Sequence, residues 1–356
     1  MPPLPRFVPL LALAACTSLA TAQPPIVVKP DAFETLVNPK CSHCRDEDVR
    51  RRDLAPSDRV LCWTRGYSEG GAIPIRFFLA PHRVISDSYG VFVYDPEAGY
   101  ARGFAPSYHF RFHGWRNGVM VMRDDTDNSL YSCLTGVAFD GPRKGHRLMP
   151  VPTLVSDWGF WLKNYPQAVA YHMFDKYRAV DLPAADNPDS VRSRGVPDPR
   201  RNAAERVFGV WTGMATRAYP LDDLARAGLI SDDMGGPLVV LWEPTTKAVA
   251  AYRPVASQPR KYKAPAPDTD GVSKLDDGVP VPPGTAVVPP RKLSIGPGLS
   301  AGRFADAETK SVWDIAGRCV DGELKGWTLE PLDGVRVKWF AWEAEHPETT
   351  IHGGKE

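Results

Sequence analysis

Short runs of apolar residues, interrupted by Gly, Pro and Asp, fill most of this chain. Val60–Thr64, Ile73–Leu79, Val91–Tyr94, Phe110–Phe112 and Val119–Met122 are rich in β-branched and aromatic residues, the pattern of short strands. Helical periodicity is rarer. Ser156 followed by Asp157-Trp158-Gly159-Phe160-Trp161-Leu162 carries an apolar i, i+3, i+4 face, which predicts one or two helical turns capped by Ser156. Asn38-Pro39 ahead of a polar stretch predicts a helix within 38–55, its body from Lys40 to Arg52, because Asn caps and Pro suits a first turn. Residues 181–205, rich in Pro, Asp, Arg and Ser from Asp181 to Asn202, read as a linker. Residues 254–290 are proline-rich with no apolar period, an insertion without a core of its own.

The pattern occurs twice. The stretch from Asp124 returns from Asp306: Ser129 matches Ser311, Tyr131 matches Trp313, and Gly136, Gly141 and Gly145 fall on Gly317, Gly322 and Gly326. Trp158 and Trp161 fall on Trp339 and Trp342. Further forward, Ile230-Ser231-Asp232-Asp233-Met234-Gly235 mirrors Ile85-Ser86-Asp87-Ser88-Tyr89-Gly90. Glycines and tryptophans agreeing at a near-constant offset point to an internal repeat. The expected fold is therefore a β-rich α+β protein of two pseudo-equivalent modules with short helices, 59–175 and 206–352. The duplicated tryptophans, at helix-like spacing, read as core or module interface rather than as a sugar-stacking platform.

These motifs resemble a known family. The Asp…Thr-x-Ser-x-Trp…Gly…Gly…Gly…Leu cassette (Asp306, Thr309, Ser311, Trp313, Gly317, Gly322, Gly326, Leu329), the Trp342…Pro347…Thr350 close and the Asp-x-x-Gly-Gly element before a strand are similar to domain-of-unknown-function family 3179. The resemblance implies an exported bacterial or archaeal β-rich module and supplies no activity. Members often carry Tyr-Cys-Pro-x-Cys where a strand ends. Here those positions read Tyr94-Asp95-Pro96-Glu97-Ala98 and Trp242-Glu243-Pro244-Thr245-Thr246, so both copies lack the thiol pair and place a carboxylate at its first position.

Charge narrows the partners. With 43 basic and 42 acidic residues, net +1, the chain offers no electrostatic case for nucleic acid or an anionic membrane surface. Arg6 before the apolar run Phe7–Ala15 predicts a signal peptide over 1–22. Its end is either the A-x-A site Ala20-Thr21-Ala22 or a lipobox-like Leu13-Ala14-Ala15-Cys16, and the second would anchor Cys16 to a membrane through lipid. Either ending places the mature protein outside the cytoplasm.

Candidate chemistry is sparse. Cys41-Ser42-His43-Cys44 sets two cysteines on one face near a helix start, where the dipole favours thiolate, while His43 falls about 200° around the axis from Cys41. Three readings stand: a structural disulfide, such as Cys41 or Cys44 with Cys62; a transition-metal site for Zn or Cu needing further ligands; or a catalytic dithiol. His109 and His113 would stand roughly 13 Å apart on a strand, which favours packing over ligation. Asp87 and Asp232 either cap turns, as Asp near Gly does, or face each other across a pseudo-axis, with Asp95 and Glu243 as further residues of an inter-module cleft. The expectation is an envelope protein binding a small molecule, a metal or a protein partner at that cleft or at the Cys cluster. The alternative is a metal- or thiol-dependent oxidoreductase centred on Cys41 and Cys44.

Overall fold

The apolar runs pair into small sheets. The computed structural model describes residues 26–39, 54–65, 69–78, 82–171, 198–258 and 289–354. The leader, the Cys41–Cys44 cluster with its expected helix body, most of the linker and most of the proline-rich insertion lie outside the described residues.

The N-terminal half begins with β1 (Ile26–Val28) and β2 (Glu34–Val37), followed by the hairpin β3 (Arg59–Arg65) and β4 (Glu69–Pro74). A one-turn helix α1 (Ile75–Phe78) leads to the meander β5 (His82–Asp87), β6 (Gly90–Asp95) and β7 (Tyr100–Phe104). Then come β8 (Phe110–Arg116), β9 (Val119–Asp124), β10 (Leu130–Ser132) and β11 (Ala138–Asp140). The half closes with β12 (Pro150–Val151), β13 (Thr153–Asp157), α2 (Trp158–Asn164) and β14 (Val169–Ala170). Its sheets run β13-β3-β4-β14, β12-β7-β6-β5-β2 and β1-β8-β9-β10-β11.

The C-terminal half opens with the hairpin β15 (Arg206–Trp211) and β16 (Thr216–Pro220), then α3 (Leu221–Ala227). The meander β17 (Leu229–Asp233), β18 (Pro237–Glu243) and β19 (Ala248–Ser257) follows. After β20 (Arg291–Lys292) come β21 (Ile295–Pro297), β22 (Phe304–Asp306), β23 (Val312–Trp313) and β24 (Cys319–Asp321). The close is β25 (Thr328–Pro331), β26 (Asp333–Lys338), α4 (Trp339–Glu345) and β27 (Thr350–Ile351). Its sheets run β26-β15-β16-β27, β17-β18-β19-β20 with β25 on β19, and β21-β22-β23-β24.

Several boundaries differ from the sequence reading. Ile73–Leu79 is not one strand: β4 ends at Pro74 and Ile75–Phe78 turns into α1. Ser156 does not cap α2. It is the buried fourth residue of β13, and the first helical amides instead donate to the segment before β3, Trp158 to Asp58 O and Gly159 to Pro56 O. Asn38 is no N-cap either: at φ 44° it leaves the extended region that a cap occupies, and its amide donates to Ser86 O at the end of β2. The insertion does not begin at Pro254, because β19 runs to Ser257 with Ala256 opposite Leu329 and Ser257 opposite Thr328, past an irregularity between Arg253 and Ala256.

The two halves share their cores. Trp339 and Trp342 of α4 belong to one apolar cluster with Tyr100, Phe104 and Tyr131 of the N-terminal half. Trp158 and Trp161 of α2 belong to another with Tyr252, Trp313 and Leu329 of the C-terminal half. All four helix tryptophans are buried. Each closing helix thus helps to fill the core of the opposite half. Polar contacts follow the same seam: Arg102 and Arg147 both bond Asp333, Arg116 pairs with Glu345, and Arg318 donates to Asn164 O.

Candidate functional site

Among the described residues, two partly open cavities lie along the seam. The larger, about 410 Å³, takes its walls from both halves: Cys62 and Trp63 on β3 and Trp161 on α2 from one, Phe208 on β15 and Tyr252 on β19 from the other. A size of a few hundred Å³ and aromatic walls suit a small organic ligand. Its charged groups are already engaged. Arg102 is nearly buried and donates to Leu134 O and Asp333, and Arg147 bonds the second oxygen of Asp333. Arg318 pairs with Asp314 at 2.8 Å and lies 3.7 Å above the Tyr165 ring. Cys62 is a free, buried thiol, and burial pushes its pKa well above the ordinary value. It is held as neutral SH, not as a nucleophile. This cavity can bind and orient a guest, but the groups described here leave no carboxylate unbound to serve as a base.

The smaller cavity, about 220 Å³, lies along the same seam and shares Thr153, Leu154, Phe208 and Gly334 with the first. Its charged lining residues are Arg59, Arg206 and Arg336.

The carboxylates expected at a cleft hold turns instead. Asp95 is fully buried and accepts from the Glu97 and Ala98 amides at 3.0 and 2.9 Å. Burial raises its pKa despite those donors. Glu243 accepts from the Thr245 amide at 2.9 Å, and from the Thr246 amide and hydroxyl at 2.7 and 2.6 Å. Burial pushes its carboxyl up, but the Thr246 hydroxyl and amide bring it below the ordinary value. The turns they brace meet the opposite half: Lys338 N–H donates to Ala98 O at 2.7 Å, and Arg59 donates to Thr246 O at 2.8 Å. Asp87 bonds the Ser88 amide and the Tyr171 hydroxyl, and Asp232 bonds Arg217 and the Tyr219 hydroxyl. None of the four is a lining residue of either cavity; they brace turns and strand ends around it.

The cassette residues are likewise internal. Ser129 and Ser311 are fully buried, and their hydroxyls accept from the Arg143 and Leu324 amides at 3.0 Å each. Asp306 accepts from the Thr309 amide and hydroxyl and, at 3.0 Å, from Trp313 Nε1. Burial alone would raise its carboxyl, yet these donors leave it depressed. Cys41, His43 and Cys44 lie outside the described residues. Cys62, considered above as a disulfide partner, is a buried free thiol inside β3. His113 sits beside the β8 bulge, and among the described residues no group of three His, Cys, Asp or Glu side chains is placed to hold a metal.

Sequence reasoning missed the cations of the seam. One signal was available: Arg102 stands in Tyr100-Ala101-Arg102-Gly103-Phe104, and a charge inside a buried strand requires an internal partner. The partner, Asp333, is remote in sequence.

Fold and seam together define a β-rich protein of two interlocked halves around shared cavities. The description of a protein of unknown function, DUF3179, matches residues 92–349, most of the chain, and the chain belongs to that family. No curated protein and no solved structure matches it. No helix among the described residues is long and apolar enough to cross a membrane.

Proposed function

We propose that this is an exported protein built from two tandem copies of one module, which binds a small molecule in the cleft between them. The observation that carries the binding reading is the cavity of about 410 Å³ walled by both halves. Duplication is supported by the strand orders β13-β3-β4-β14 and β26-β15-β16-β27, each with its last strand parallel to its neighbour. It is supported also by matching bonds, such as Leu148 N–H to Gly136 O and Leu329 N–H to Gly317 O. Export is supported by the leader-like pattern of residues 1–22, with lipid attachment at Cys16 or release as its two endings.

Ala250 lines the larger cavity, so Ala250→Phe should fill part of it. In a ligand-observed NMR fragment screen, some fragments should bind the parent protein and lose binding in Ala250→Phe at unchanged fold. Equal binding by both proteins would move the site elsewhere. A thiol- or metal-dependent oxidoreductase at Cys41 and Cys44 rests on the Cys-Ser-His-Cys spacing alone. Elemental analysis of the purified protein with thiol counting before and after reduction addresses it directly.

A further inference from the structure

The smaller cavity carries a charge imbalance that none of the described residues corrects. β3 and β13 place Arg59 opposite Asp157, and the two form an ion pair at 2.6 Å. In the corresponding ladder of the other half, β15 and β26 place Arg206 opposite Lys338 and Phe208 opposite Arg336. Side chains two residues apart on a strand share a face. Arg206, Arg336 and Lys338 therefore stand on one face of two adjacent strands, with Phe208 between them. Like charges directly opposite across a ladder are destabilising unless something compensates them.

None of the described residues does. Among the described residues no carboxylate is bonded to Arg206, Arg336 or Lys338; Arg336 donates to Lys247 O at 2.9 Å. Asp157 is already committed to Arg59. Of the remaining lining side chains only Thr153 and Tyr94 are polar, both neutral, the Tyr94 phenol with its pKa raised by burial; the rest, including Ile75, Val249 and Val335, are apolar. Lys338 reaches the edge through Gly99, which lines the cavity and whose added Cβ would lie 3.4 Å from Lys338 Cγ.

We propose that this smaller cavity is a binding site for a small oxyanion, held by Arg206 and Arg336 with Lys338 at its edge. Guanidinium forks match the paired oxygens of a phosphate or a carboxylate, and the cavity of about 220 Å³ limits the guest to a small ion or a short organic acid. Arg336 also bears the mark of an uncompensated cation: burial, with Arg59 and Arg206 beside it, pushes its pKa down to about 10. An anion in the cavity would reverse that pressure. This site is distinct in its charged lining from the larger cavity, although the two share Thr153, Leu154, Phe208 and Gly334.

The test is a titration of the full chain with inorganic phosphate and, separately, with benzoate, against chloride at equal ionic strength, followed by melting temperature and calorimetry. Saturable binding of phosphate alone identifies a phosphate-class guest, and of benzoate alone a carboxylate-class guest. Arg206→Gln changes an exposed residue and should fold normally. It should weaken binding about tenfold, as loss of one charge-assisted contact does, and Arg336→Met should weaken it at least as much. Arg226→Gln, at an exposed helix position, should leave binding unchanged. A response that follows ionic strength alone, or one that persists equally in Arg206→Gln and Arg336→Met, overturns the proposal.

Discussion

Gly322 and Gly326 separate two reasons for a glycine within a single loop. Both take left-handed backbone, φ 95° and 94°. A Cβ on Gly322 would lie 2.7 Å from Ser311 Cα, whereas nothing lies within 4 Å of one on Gly326. Gly326→Ala should therefore carry only the conformational cost, about 1–2 kcal/mol. Gly322→Ala adds a clash with backbone that cannot turn away, and should lose about 3 kcal/mol or more. Urea denaturation of the two variants checks the order, and equal losses would mean that the Ser311 contact yields. The glycines could be picked out in the sequence because such positions tolerate little else. The cavity arginines could not. Arg206, Lys338 and Arg336 face one another only through the β15–β26 register, and nothing in either stretch alone announces it.

At the scale of elements, the same contrast holds for the closing helix. Trp339 and Trp342 predicted an apolar face, and α4 buries both. What followed the helix was not legible: the His346 ring lies against Trp342, tilted by 47° at 4.2 Å between ring centroids, and close to the Arg102–Asp333–Arg147 cluster. Burial, reinforced by Arg147 and Arg102, pushes its pKa down to about 4, against about 6.5 in an unfolded chain. Between those values the unfolded state takes up a proton that the folded state refuses. Stability is thus complete above about pH 6.5 and falls as pH drops toward 4, by on the order of 1–3 kcal/mol from this residue. His113, lowered by burial and Arg123, acts in the same direction, so the measurement must be a difference. His346→Phe should flatten the loss of stability between pH 6.5 and 4.5 relative to the parent protein, read from urea midpoints along that range. Parallel curves would place His346 in water.

At the scale of the whole molecule, the exchange of tryptophan helices decides whether either half can stand alone. The sequence suggested two pseudo-equivalent modules whose duplicated tryptophans formed the core of each or the interface between them. The cores are instead reciprocal: α4 helps to fill a cluster built largely from N-terminal residues, and α2 one built largely from C-terminal residues. Separating the halves would expose Trp158 and Trp161 on one fragment and Trp339 and Trp342 on the other, each worth several kcal/mol when fully buried. It would also strip Arg102, almost wholly buried, of its only carboxylate partner among the described residues, and an uncompensated buried charge costs about 3–5 kcal/mol. Losses of that size rival the whole stability of a domain. Fragments cut within 181–197 and expressed singly should therefore lack a cooperative melt and the near-ultraviolet circular dichroism of fixed tryptophans. Co-expressed, they should associate and recover both, because the seam supplies to each what its own chain lacks. A single fragment that melts cooperatively near the temperature of the intact protein would show that each half has a sufficient core without its neighbour's helix.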